Sequence, residues 1–342
     1  IISYLDRQQG IEDLVPAVVL QVNQQSALVM LKGGQQQTLT WDGLKWARSY
    51  ISDERQGVAP KSAAAILQPG MHILVRQQNE QWQLSQIPQA SSALVALNPQ
   101  DGAIKALVGG YSFSQSQFNR ATQANRQVGS NIKPFIYSAS LEKGLTPATL
   151  INDSELFFSA AQTGGQAWEP KNYDGSFDGP MTMRTALAKS KNMVSIRILQ
   201  EIQPQFAQDW ITRFGFDASR HPPYLTMALG AGSVTPLQMA SAYSVFANGG
   251  HFLKPYLITK ITDQKGNVLI ETKKPQLDDT NLVIEPRNAF VTTSLLQEVT
   301  VRGTAAKAAA QLKRTDIYGK TGTTNDAIDA WFAGYHPSLV AV

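Results

Sequence analysis

"IYGKTGTT", residues 317–324, decides how the rest of this chain is read. Its Gly319-Lys320-Thr321 core fits two unrelated structures: the end of a phosphate-binding P-loop, or an edge strand beside a serine that transfers acyl groups. A P-loop needs a glycine five residues before the Gly-Lys pair, because consecutive backbone N–H groups must curl round the phosphates. That position is Arg314, and Thr315, Asp316, Ile317 and Tyr318 fill the interval with an acidic and bulky side chains. After its lysine a P-loop starts a helix, whereas Thr321, Gly322, Thr323 and Thr324 join a glycine to β-branched residues that favour extended backbone. The stretch therefore reads as a strand.

The whole chain sets the bounds for that strand. At 342 residues it exceeds one ordinary domain, so two are expected, and with 43% hydrophobic and 16% charged residues it can bury a core. The net charge of +4 is mild, and no basic run or recognition helix points to nucleic acid. There are no cysteines, so disulfides and thiolate-bound metals drop out. The histidines, His72, His221, His251 and His336, show no metal-ligand spacing, and no GxSxG elbow anchors a Ser-His-Asp triad. No cofactor or metal is expected. No apolar run reaches the roughly 18 residues that span a bilayer, and no signal peptide is recognisable. The chain starts at Ile1 and stops at Val342 within "LVAV", so a C-terminally truncated piece of a longer protein is expected, with any membrane anchor in the parent only.

Residues 1–90 read as a small all-β domain with its linker. "AVVLQV" and "ALVMLK" flank an Asn-Gln-Gln-Ser turn, and "HILVRQ" and "QWQLSQI" flank Asn79 and Glu80, giving two hairpins. About five short strands predict an OB-like barrel. Trp41, Trp46 and Trp82 are expected in its core rather than on a stacking platform. Residues 91–342 read as an α+β domain, helices packed on an antiparallel sheet. It opens on a hairpin around Asp101-Gly102 and holds a helix after Gly129-Ser130 with Pro134 in the first turn. Helical material over 182–202 is broken at Ser190, Lys191 and Asn192, and "TPLQMASAYSVFANGG" is a helix stopped by Gly249-Gly250. Strands return at "IYGKTGTT", "AWFAGY" and "LVAV".

An acyl-transfer serine without a usable histidine needs another base, and a lysine three residues on along a helix is one solution. Ser130 and Lys133 have that spacing, and so do Ser140 and Lys143. Only Ser130 follows a glycine at a helix start, where unpaired N–H groups favour developing negative charge. A lysine of pKa about 10.4 is a poor base until burial and a second cation bring it toward roughly 7 to 8. Lys320 is the natural second cation. Ser190-Lys191-Asn192 supplies the chain's one Ser-x-Asn, with a serine suited to relay a proton, and Lys320-Thr321-Gly322 its one Lys-Thr-Gly. Each motif alone also has a plain reading: a helix cap, solvated lysines, a turn.

In this order, with 60 residues from Ser130 to Ser190 and 130 from Ser190 to Lys320, the three motifs resemble those of penicillin-binding proteins and serine β-lactamases. "RATQANRQVGSNIKPFIY", "WEPKNYDGSFDGPMTMRTALAKSKN", "TPLQMASAYSVFANGG", "VRGTA" and "GKTGTTNDAIDAWFAGY" narrow the resemblance to class A, bifunctional penicillin-binding proteins over about residues 91–342, and the OB-like domain to their type 1a branch. The resemblance implies a D,D-transpeptidase that cross-links peptidoglycan stem peptides in the bacterial periplasm, from a D-Ala-D-Ala donor to an amine acceptor, and is acylated by β-lactams. It implies that Ser130 is the nucleophile, Lys133 its base, Ser190 the proton relay and Asn192 a hold on the substrate amide. Lys320 would supply positive potential, Thr321 and Thr323 would bind the terminal carboxylate, and the N–H groups of Ser130 and Thr323 would form an oxyanion hole. Gly322 would leave room beside the substrate. The same resemblance implies an inner-membrane anchor and a glycosyltransferase domain in the parent, and a regulatory lipoprotein or other cell-wall synthesis proteins as partners. A β-lactamase would need a water-activating glutamate in a Glu-x-x-Leu-Asn segment, which is missing after Asn192. A D,D-carboxypeptidase or a non-catalytic penicillin sensor are the alternatives.

Overall fold

The structure is a computed structural model that describes residues 1–163 and 165–342, residue 326 by its backbone alone. It forms two compact units, Ile1–Ser92 with Gly110–Phe118, and Ala93–Gly109 with Asn119–Val342.

In the first unit, strands β1 (Val15–Val22), β2 (Ser26–Leu31), β3 (Gln36–Thr40), β4 (His72–Gln78) and β5 (Gln81–Ser85) make one antiparallel sheet in the order β3-β2-β1-β4-β5. Both expected hairpins are present. The first closes with Asn23 N–H donating to Ser26 O at 2.8 Å. The second turns on Asn79 (φ 49°) and Glu80 (φ 63°), the left-handed pair that a two-residue hairpin demands. Alternate side chains, Ala17 and Val19 on β1 with Ala27 and Val29 on β2, point into a core completed by Leu39, Leu44 and Val75. β3 and β5 approach one another, so the sheet curls toward a barrel. Trp41 and Trp82 pack against this core, but Trp46 does not. It is 46% exposed, because its indole N–H reaches the Leu84 carbonyl at 3.1 Å from the rim.

In the second unit, β6 (Leu94–Leu97), β7 (Ile104–Val108), β8 (Tyr318–Thr323), β9 (Ala330–His336) and β10 (Leu339–Ala341) form an antiparallel sheet in the order β8-β9-β10-β6-β7. The Lys-Thr-Gly segment is thus an edge strand. The body of this unit includes the helices α1 (Lys133–Glu142), α2 (Met183–Ala188), α3 (Asn192–Ile202), α4 (Pro204–Thr212), α5 (Pro236–Ala247) and α6 (Pro286–Val301). α5 and α6 pack on the sheet, and α1 lies among α3, α4 and α6. Every residue of α1 from Lys133 to Ser140 is buried, as suits a helix enclosed on all sides. Its Phe135 ring meets Phe214, Phe216, Tyr243 and Phe246 with centroids 4.9 to 5.4 Å apart, aromatic contacts worth about 0.5–1.5 kcal/mol each beyond area burial. α5 begins with a capping box between Thr235 and Gln238, has Pro236 in its first turn, and stops before Gly249 (φ 83°) and Gly250 (φ 119°). Among the described residues no helix is long and apolar enough to cross a membrane.

Candidate active site

β8 pairs with β9 through Tyr318 opposite Tyr335 to Thr323 opposite Ala330, leaving its other edge free for the chain before α1. There Gly129–Ile132 makes a 3₁₀ turn that runs directly into α1 and carries half-buried Ser130 at its second position. Glycines let the strand and turn touch. A Cβ on Gly322 would lie 2.4 Å from Val128 O, one on Gly129 (φ 52°) 2.4 Å from Thr323 O, and one on Gly230 (φ 78°) 2.1 Å from Gly129 O. This corrects the expected reason for Gly322: its bare face meets the turn that carries Ser130 rather than open space for a substrate. Gly322→Ala should therefore push strand and turn apart. We expect a loss of about 1–3 kcal/mol, the usual scale of overpacking, read as a lower urea midpoint.

Strand alternation places Lys320 and Gly322 on the buried side of β8, while Thr321 is half-buried and Thr323 exposed. Lys320 is fully buried, and its Nζ donates to Ser190 Oγ at 2.9 Å and Thr321 O at 3.0 Å. Burial pushes its pKa down to about 7. Lys133, at the first position of α1, is fully buried as well. Its Nζ donates to Ser190 O at 2.7 Å, Asn192 Oδ1 at 2.7 Å and Ser190 Oγ at 3.3 Å. Burial, and then the charge of Lys320, hold Lys133 well below the ordinary lysine range, with buried Asp153 pulling the other way. Ser190 Oγ is the atom the two lysines share.

The break between α2 and α3 makes this possible. Ser190 stands at φ 58°, left-handed backbone that a serine adopts at a cost of about 1–3 kcal/mol, and the bend turns its carbonyl and its hydroxyl to Lys133. Lys133, Ser190, Asn192 and Lys320 are thus brought together in one hydrogen-bonded cluster. Ser130 lies on the adjoining turn, and its hydroxyl makes no hydrogen bond among the described residues. Ser140 stands apart from the cluster: it is fully buried and donates to its own helix at Tyr137 O, 2.7 Å away, while Lys143 sits over the Phe206 ring. None of the four histidines joins the cluster. His221 is 1% exposed, its ring nitrogens unpartnered among the described residues, and burial lowers its pKa to about 4.

Two residues take up roles the motifs did not announce. Asn192, expected to hold a substrate amide, has both ends of its own amide engaged, Oδ1 by Lys133 and Nδ2 by Lys171 O at 2.7 Å. Thr321 Oγ1 lies 2.6 Å from Thr304 Oγ1, so the "VRGTA" segment adds a hydroxyl beside Lys320. Thr304 is delivered by its N–H bond to Ala188 O at 3.1 Å, at the end of α2, and by Gly303, where a Cβ would strike that same carbonyl at 2.2 Å.

An array of buried lysine pair, bridging serine and threonine-lined edge strand can activate a hydroxyl and hold a carboxylate without a metal ligand set. Comparison with known proteins agrees. Residues 92–340 match the family model of the penicillin binding protein transpeptidase domain, and residues 1–90 that of the penicillin-binding protein OB-like domain. The chain is 43% identical to penicillin-binding protein 1A of Vibrio cholerae, across 99% of this chain and 45% of that protein. It is 40% identical to penicillin-binding protein 1A of Pseudomonas aeruginosa, across 99% and 47%. The chain therefore spans about half the length of the curated relatives it matches. A crystal structure of penicillin-binding protein 1A from Haemophilus influenzae superposes on the whole chain, and on 54% of its own, with a TM-score of 0.86 at 37% identity. PonA1 from Mycobacterium tuberculosis in complex with penicillin V covers 74% of this chain and 69% of its own, with a TM-score of 0.60 at 25% identity. The chain belongs to the family of penicillin-binding protein transpeptidase domains, joined here to the family's OB-like domain.

Proposed function

We propose that this chain is a serine D,D-transpeptidase that cross-links peptidoglycan stem peptides through an acyl-enzyme on Ser130 and is acylated by β-lactams. The observation that carries the reading is the convergence of two buried lysines on Ser190 Oγ beside the turn that bears Ser130. Neutral Lys133 takes the Ser130 hydroxyl proton as Oγ attacks the penultimate D-Ala carbonyl, and the oxyanion is met by the N–H groups of Ser130 and Thr323. Each such donor is worth about 3 to 4 kcal/mol. As the C–N bond breaks, the proton passes by way of Ser190 to the departing D-Ala amine, leaving an ester on Ser130. The leaving residue's carboxylate lies against Lys320, Thr321 and Thr323. An acceptor amine then attacks the ester, giving up a proton along the same path, and Ser130 is released with the cross-link made. Asn192 steadies Lys133 and, through Lys133, the protonation state of the base.

The polymer lies outside the bacterial cytoplasm, so we assign the reaction to the periplasm, with the longer protein held at the inner membrane. Glycosyltransferase activity and any regulatory lipoprotein partner belong to proposals about that longer protein.

The test is chemical. After incubation with penicillin, intact-mass measurement should show one drug added, and peptide mapping should place it on Ser130 for many minutes. With a D-Ala-D-Ala donor and an amine acceptor, transfer should exceed hydrolysis. Adduct on any other serine refutes the nucleophile; hydrolysis alone makes the chain a D,D-carboxypeptidase, and acylation without turnover a sensor.

A further inference from the structure

We propose that Asn172 is a positioning residue for acyl transfer: its buried side-chain amide locks the Ser190–Asn192 turn in the form that lets Asn192 grip Lys133. The proposal rests on the transpeptidase reading of the site. A serine held at φ 58° relaxes unless something over-determines the turn, and Asn172 supplies that constraint. Only 5% exposed, it uses both ends of its amide. Oδ1 accepts from the backbone N–H of Asn192 at 2.8 Å, while Nδ2 donates to Ser176 O at 2.7 Å and Asp153 Oδ1 at 2.8 Å. The neighbouring Lys171 carbonyl accepts from Asn192 Nδ2, so residues 171 and 172 hold Asn192 at its backbone and at its side chain. The other end of the Asn192 amide is the one that accepts from Lys133.

The anchor beneath Asn172 is ionic. Lys191, the middle residue of Ser-Lys-Asn, is 2% exposed and turns away from the groove. Its Nζ lies 3.3 Å from Asp153, 3.1 Å from Asp174 and 3.3 Å from Asp178. Asp178 also pairs with Lys189, and its N–H donates to Asp153 Oδ2 at 3.0 Å. The carboxylates outweigh burial and hold Lys191 above the ordinary lysine value. Asp153, wholly buried, is the junction: it binds Asn172 and Lys191, and its charge reaches Arg197 and Lys133. Residues 172–178 are therefore folded round the far side of the Ser-Lys-Asn turn and fix it from behind. An amide is required at 172 because the site needs an acceptor toward Asn192 and a donor toward a carboxylate on one small planar group.

The experiment is a double-mutant cycle on penicillin acylation with Asn172→Ala, Asn192→Ala and the pair, alongside thermal unfolding of each. A displacement of about 1 Å in a catalytic group costs on the order of a hundredfold, so Asn172→Ala should acylate roughly 10- to 100-fold more slowly. If Asn172 acts through Asn192, its loss in the Asn192→Ala background should be less than about threefold, and the acid limb of the acylation–pH profile should move in Asn172→Ala. A general stabilising role would instead leave the limb in place and give additive losses, which overturns the proposal. So would an Asn172→Ala that acylates within twofold of the parent. An Asn192→Ala that acylates normally defeats the reading of the site itself. Asn172→Ser, which is too short to reach Asn192 and Asp153 together but keeps a small polar group, carries the same cycle if the alanine variant does not fold.

Discussion

Lys133→Met is expected to slow acylation of Ser130 by about a thousandfold, the middle of the 10²–10⁴ range that a positioned general base contributes. Burial is what makes this lysine a base. Lys133 is sealed in α1, and burial with the charge of Lys320 drives its pKa well below the ordinary lysine value, so giving up its proton costs less than it does for a free lysine. Methionine fills much the same volume and removes the base, but leaves Ser190 O and Asn192 Oδ1 without their donor, so the thermal midpoint is measured beside the rate. Ser130→Ala should show no adduct at all, and the double variant should likewise show none, since the two residues act as a unit. Rapid-mixing kinetics with a fluorescent penicillin reads the rate, and a Lys133→Met rate within about threefold of the parent would overturn the assignment of the base.

How far the sequence disclosed this site depends on the kind of information each residue carries. Local rules were enough for the hairpin at Asn79-Glu80, for the helix between Thr235 and Gly249, and for β8, because turn geometry, capping and β-branching act over a few neighbours. Motif order was enough to pick out Lys133, Ser190 and Lys320, which the fold gathers into one hydrogen-bonded cluster. What no local rule revealed is who faces whom. Gly322 looked like space for a substrate and proves to be space for Val128 and Asn131. Asn192 looked unattached and is already held by Lys133 and Lys171, with one Nδ2 hydrogen left over. Asp153, Asn172, Asp174, Asp178 and Lys191 become one cluster only after the chain folds back, although an aspartate ending the strand Leu150–Asp153 and a lysine between two motif residues were visible signals of buried pairing. Trp46 went the other way, exposed because a single indole hydrogen bond draws it to the rim.

Lys320→Met should slow acylation by carboxylate-bearing β-lactams by about a hundredfold, the scale of one electrostatic contact to developing or bound charge, and should also flatten a stability trend with pH. Burial alone lowers Lys320 to about 7, against about 10.4 for an unfolded lysine. Between those values the unfolded chain holds more protons than the folded one, so folding stability contributed by this group rises with pH, and its penalty is fully present below about 7. Lys133 is displaced in the same direction and adds to the slope. For function the sign is opposite. Lys320 must be charged to attract the substrate carboxylate, so in the free enzyme its contribution fades as pH rises through about 7, whereas a bound carboxylate raises its pKa and carries activity to higher pH. The second-order acylation rate should therefore fall at lower pH than the rate at saturating ligand, a separation that Lys320→Met abolishes. Urea unfolding at pH 6.5 and 9 supplies the companion measurement: the parent should gain stability, on the order of a few kcal/mol at about 1.4 kcal/mol per pKa unit, and Lys320→Met should gain distinctly less while being the more stable protein at pH 6.5. Equal pH slopes in the two proteins would mean that Lys320 is not the depressed, buried cation that this site needs.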